Sequence, residues 1–174
     1  MTIQECEERA YTDGLAAGLR TALRGNPGPA MPSDGGITPD PAVPGHRLAE
    51  AEGVALLPSQ GIPDDPELSG RLAAARLGTT RRALEAAARH LDGRISGEGP
   101  LIQRQLLAGA IADAAAGIEL ARALLGTPYV AHEVISDLGW EITKLFGGAG
   151  YITDQPTRAL YVSALIADAW GATR

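Results

Sequence analysis

The chain has 174 residues and a formal charge of −6, enough length for one domain with a real core. Its arginines are scattered among acids, and without a clustered basic surface nucleic acid is excluded as a partner. Alanine, leucine and glycine dominate, aromatics make up 4%, and β-branched residues are sparse, which predicts an all-α protein whose helices pack through small side chains.

Residues 1–25 read as an N-terminal helical arm. Ile3, Cys6, Ala10, Leu15, Leu19, Ala22 and Leu23 fall near helical spacing, and Gly25-Asn26-Pro27 stops the pattern. The opening residues are acidic and lack an apolar run, so they do not resemble a secretory signal. Cys6 is the single cysteine; it excludes an internal disulfide and suits a reducing cytoplasm. Glu5, Glu7 and Glu8 flank it, surroundings that predict an inert thiol.

Residues 26–64 form a Pro/Gly-rich linker. Positions 25–46 alone carry six prolines and five glycines, a composition that buries too little surface to offset the entropy of ordering. Arg47 to Leu57 reads as a short helix followed by an extended turn at Pro58.

Residues 65–174 carry the main body. Asp65-Pro66-Glu67 is a cap followed by proline at the first helical position. Leu68, Leu72, Ala75, Leu77, Leu84, Ala88 and Leu91 then draw one apolar stripe to about Asp92. After a glycine-containing turn, Leu101 to Leu125 predicts a second helix, with Leu107, Ile111, Ala114, Ile118, Ala121 and Leu125 on one face. Asp113, Glu119 and Arg122 inside it argue against a membrane span. A third helix, Val130 to Phe146, presents Val134, Leu138, Ile142 and Leu145. Gly147, Gly148 and Gly150 close it, because glycine readily takes the left-handed conformation. Asp154 and Pro156 open the last helix, which is almost entirely apolar from Ala159 to Trp170. Short loops predict an up-down four-helix bundle. The last helix needs cover from its neighbours or from a second copy of the chain, and a homo-oligomer formed through it is expected.

The stretch Phe146-Gly147-Gly148-Ala149-Gly150-Tyr151, Pro156, Leu160-Tyr161 and Trp170 to Thr173 resembles, without gaps, the closing segment of flavin-dependent acyl-CoA dehydrogenases (Q-L-F-G-G-x-G-Y…P-V-E-R-L-Y-R-D-A-R…Y-E-G-T). The resemblance covers roughly residues 67–173, the size of that family's C-terminal helical domain. It implies a four-helix bundle and a set of flavin contacts. Arg94 stands at the arginine of the family's R-x-x-F-G turn, which touches FAD phosphates across a subunit interface. Leu101, Gln105 and Ala112-Asp113 match later positions of that motif. Gly147 and Gly148 match the turn that lies along the flavin, and Thr173 the threonine of Y-E-G-T.

The departures are equally specific. Gly171 stands where the family often carries its catalytic glutamate, so no catalytic residue is assigned. Gly97-Glu98 replaces the F-G pair and puts a negative charge where an anionic dinucleotide would lie. Lys144 replaces the turn glutamine, and Val162 and Ser163 replace an arginine and an aspartate. The length given has no room for the family's amino-terminal helical domain and β-barrel. FAD is therefore expected only where a partner chain completes the site.

Three readings follow: a flavin-free binding protein or non-redox enzyme (a cyclase or isomerase) acting on an apolar or acyl-thioester intermediate; a partner subunit of a fuller flavoprotein; or a structural remnant. Other candidates are weaker. His132-Glu133-x-x-Ser136 begins like H-E-x-x-H but lacks the second histidine, so no metal site is expected. His90, near Asp92 and Arg94, suits a helix C-terminus as a dipole partner or an acid–base group. Glu67 complements a helix N-terminus and is one residue out of register with an alternative catalytic-glutamate position. Gly147–Gly150 follows no strand and is not a Rossmann cradle. Trp140 and Trp170 read as packing residues, with Trp170 beside the vacated catalytic position.

Overall fold

Asp65 starts the longest helix of the protein. In the computed structural model, which describes residues 2–24, 28–33, 46–57, 65–97, 99–151 and 156–170, its carboxylate accepts hydrogen bonds from the backbone N–H groups of Glu67 (2.9 Å) and Leu68 (3.1 Å). The helix α4 (Pro66–Asp92) follows, and every residue from Gly70 to Thr80 is buried. Such burial on all sides requires neighbours on all sides. They are α1 (Ile3–Asp13), α2 (Leu15–Leu23), α5 (Gln105–Ala123), α6 (Pro128–Leu145) and α7 (Thr157–Ala169).

The expected four-helix body is present in α4 to α7. The α5 stripe points inward, with Ala114, Ile118, Ala121 and Leu125 buried, and so does that of α6, with Leu138, Ile142 and Leu145. The second helix is shorter than its pattern: Leu101–Gln103 forms a 3-10 turn, and Arg104 is extended, its guanidinium donating to the Ser96 carbonyl. Pro128 serves in the first turn of α6, which therefore begins two residues before Val130. The candidate cap Asp154 lies outside the described residues, and Pro156 is the N-cap of α7.

The N-terminal arm is two helices where one was expected. Gly14, at φ 97°, breaks the period between α1 and α2, a backbone conformation that L side chains rarely adopt. A capping box between Thr2 and Glu5 starts α1. Both helices belong to the core, with Cys6, Ala10, Leu15, Leu19 and Leu23 fully buried. The approach of α1 to α4 is close because Gly78 has no side chain: a Cβ there would stand 2.0 Å from the Glu7 carbonyl oxygen.

Within the proline-rich region, β1 (Ala30–Pro32) pairs antiparallel with β2 (Val54–Leu56), and α3 (Arg47–Ala51) precedes β2. This ribbon covers the end of α7, where the Trp170 indole N–H donates to the Ala30 carbonyl (3.3 Å). A second small ribbon, β3 (Ile95–Ser96) with β4 (Gly99–Pro100), follows α4. The apolar faces of α7 are thus covered largely within the chain: Leu160, Val162, Ile166, Ala167 and Trp170 are buried. The turn expected at Pro58 lies outside the described residues. Among the described residues, no helix is long and apolar enough to cross a membrane.

Candidate functional site

Three helices bring polar groups to one buried point. Arg76 sits in the enclosed stretch of α4 and is 1% exposed. Its Nε donates to Ser163 Oγ on α7 (3.1 Å), Nη1 to His132 Nδ1 (2.7 Å) and to the His132 carbonyl (3.2 Å), and Nη2 to Ser136 Oγ (2.8 Å). His132 and Ser136 are four apart and share one face of α6. A guanidinium only donates, so His132 Nδ1 accepts and its Nε2 carries the hydrogen. That hydrogen points to the Ser69 carbonyl (3.1 Å).

The electrostatics follow from burial. Loss of water pushes Arg76 down to about 10, while Asp168 acts at a distance in the opposite sense. Arg76 therefore stays charged at neutral pH. Burial, and then the charge of Arg76, push His132 down to about 3, so its imidazole is neutral.

Arg76, Ser136 and Ser163 of this cluster line a cavity of about 340 Å³ between α4, α6 and α7, together with Thr80, Thr143 and Thr157, at the small end of ligand pockets, which run roughly 300–1,000 Å³. Ile135, Gly139, Leu160 and Ala164 supply apolar wall, and Leu48 of α3 closes one side. Trp140 and Tyr161, half exposed, are the large aromatics of the lining; the Tyr161 ring lies against His46, centroids 5.9 Å apart. None of the described lining residues carries a carboxylate, thiol or imidazole. The arrangement can bind and orient a small molecule; among the described lining residues it offers no acid–base pair. A second, more polar cavity of about 510 Å³ holds Arg82, Arg89, Asp13 and Glu52, and Arg158, ion-paired to Glu52 at 2.6 Å, lines both.

The residues singled out in the sequence gather elsewhere. Arg94 is exposed, with Nη1 3.3 Å from His90 Nε2. The His90 ring packs on Phe146, centroids 5.3 Å apart, and Gly147 and Gly148 follow directly. Arg94, Gly147 and Gly148 therefore share one end of the bundle, outside the cavity. Gly147 has φ 58°, and neither glycine has an atom within 4 Å of where a Cβ would stand. Thr173 and Gly171 lie outside the described residues, as does Glu98. Glu67 pairs with Arg71 (2.5 Å) and is exposed. Leu101 is half-buried, whereas Gln105, Ala112 and Asp113 are exposed on α5. Lys144 pairs with Glu141 (2.5 Å). Of the tryptophans, Trp170 is core as expected, but Trp140 lines the cavity. His132, read as half of a failed metal motif, is a neutral partner of Arg76; among the described residues no group of three or more His, Cys, Asp or Glu could hold a metal ion. Arg76 itself was missed. A charge inside the apolar run Leu72–Leu77 was its one visible signal.

Residues 69–128 match the family model described as acyl-CoA dehydrogenase, C-terminal domain, a span that takes in most of α4 and all of α5. The helical body thus resembles the C-terminal helical domain of acyl-CoA dehydrogenases over that span. Among solved structures, it is similar to butyryl-CoA dehydrogenase from Megasphaera elsdenii, with a TM-score of 0.54 and 25% identity over 62% of this chain. The match spans 33% of that protein's own length. No curated protein matches the chain. Tested against a flavin dinucleotide, Arg94, Gly147 and Gly148 offer one open wall: the glycines leave room for a flat ring, but these exposed residues do not enclose it.

Proposed function

We propose that this acyl-CoA-dehydrogenase-like protein works without flavin of its own, as a cytoplasmic binding protein or non-redox enzyme whose α4–α6–α7 cavity takes an apolar small molecule. One observation carries this reading: a cavity that sets apolar side chains beside the Arg76, Ser136 and Ser163 cluster lies within the helical body, apart from Arg94, Gly147 and Gly148. A cyclisation or isomerisation there would rest on shape and desolvation, holding a flexible substrate in a reactive conformation.

The test is a titration with a neutral aliphatic alcohol, decanol, followed by Trp140 fluorescence. Saturable change is expected in the wild type and its loss in Ala164→Phe, which fills the cavity. Absence of any saturable response in a folded wild type contradicts the reading.

A second reading has its own support. Open space at Gly147 and Gly148, beside the exposed Arg94, suits one wall of a composite site finished by a flavoprotein partner subunit, with FAD held between the two. A flavin absorption band that appears only in a co-purified complex, and is weakened by Arg94→Ala, would favour it. A homo-oligomer is also proposed; Leu106, Ile95 and Leu120 are large apolar residues left exposed that a second copy would cover.

A further inference from the structure

The donor count at Arg76 does not close. A guanidinium carries five N–H groups. Nε uses one, on Ser163; Nη1 uses two, on His132 Nδ1 and the His132 carbonyl; Nη2 uses one, on Ser136. The second Nη2 hydrogen has no acceptor among the described residues. Ser163 Oγ accepts from Nε, and its own O–H likewise has no acceptor there. Arg76 and Ser163 are each 1% exposed, and both line the cavity.

Buried polar hydrogens without acceptors are rare in folded proteins. These two belong to neighbouring, hydrogen-bonded side chains that both line the cavity. We propose that an apolar monocarboxylic acid binds here, its carboxylate accepting from Arg76 Nη2 and Ser163 Oγ and its chain lying along Ile135 and Leu160 toward Trp140. The charge count favours an anion over a neutral carbonyl. Every hydrogen-bond partner of Arg76 is neutral, and Asp168 acts on it only at a distance. A neutral oxygen would satisfy the hydrogens and leave the guanidinium without a contacting counter-charge; a carboxylate supplies both. This inference rests on the cavity reading above.

Decanoate and decanol share a chain and differ at one end, so the pair separates the anchor from the cavity. Near neutral pH, with Trp140 fluorescence as readout, decanoate should bind the full chain at least roughly tenfold more tightly than decanol, as a charge-assisted bond in a dry site allows. Arg76→Met should abolish that preference while leaving decanol binding in place. Ser163→Ala, a smaller change at the edge of the cluster, should shrink it several-fold and covers the case in which Arg76→Met does not fold. Decanol binding as tightly as decanoate would overturn the anchor and leave the cavity reading standing. Binding of neither would overturn both. A decanoate preference that survives in the folded variants would place the anion on another cation, Arg158 of the same cavity or Arg82 and Arg89 of the second, and would also overturn it.

Discussion

Arg76 on α4 and His132 on α6, 56 positions apart in sequence, meet at 2.7 Å between Nη1 and Nδ1 in the buried centre of the bundle. The contact holds only while the imidazole is neutral, because a protonated Nδ1 would face a guanidinium.

Stability should therefore fall in mild acid. His132 is held at about 3 against an ordinary 6.5, so between those values the unfolded chain binds a proton that the native protein does not. The contribution is fully present above 6.5 and is lost as pH falls toward 3, with a limiting slope of about 1.4 kcal/mol per pH unit. Urea unfolding between about pH 6.5 and 5, above most carboxylate titration, should show a slope that rises from about half this limit toward it. His132→Gln should flatten it, and a pH-independent wild type in that window would contradict the assignment.

Glu7 joins α1 to the body. Its buried carboxylate accepts from Arg81 (2.9 Å) and Arg122 (2.7 Å). Glu7→Gln should cost about 3 kcal/mol, as for a partner removed from a buried pair. Glu8, exposed and 3.6 Å from Arg81, is a matched control whose glutamine variant should cost at most about 0.5 kcal/mol. Equal effects in denaturant titrations would show that α1 is not held this way.

Three glycines should respond with different signs. Gly78→Ala forces a Cβ to within 2.0 Å of the Glu7 carbonyl oxygen, and Gly28→Ala to within 2.0 Å of the Trp170 ring. Both should destabilise, by about 1–3 kcal/mol or more. Gly109, inside α5, has nothing within 4 Å of a Cβ, so its alanine variant should stabilise by about 0.5–1 kcal/mol. Thermal melts of the three variants decide the matter.

Cys6 is fully buried, and burial pushes its thiol upward. An aromatic disulfide reagent should label it at the rate of global or local unfolding, with rapid labelling in urea. Fast native-state labelling would mean that α1 detaches.

The body was legible where one local signal decides the structure. Asp65-Pro66 fixed the start of α4, and the stripes of α5 and α6 named residues that are buried. Gly14 was not legible as a break, because the apolar spacing continues across it and only the backbone angle gives it away. The β1–β2 ribbon was hidden because Ala30-Met31-Pro32 is too short to alternate and its partner lies beyond a proline-rich stretch. The cavity was least visible: Arg76, His132 and Ser163 lie 56 and 87 positions apart in their pairs, so no spacing rule joins them. The family resemblance directed attention to Arg94, Gly147 and Gly148, at a different place on the bundle.

The most direct measurement is a crystal structure of the protein grown with decanoate. The account predicts continuous density between α4, α6 and α7, with its carboxylate within hydrogen-bond distance of Arg76 Nη2 and Ser163 Oγ. An empty cavity, or density only beside Arg94, Gly147 and Gly148, would contradict it.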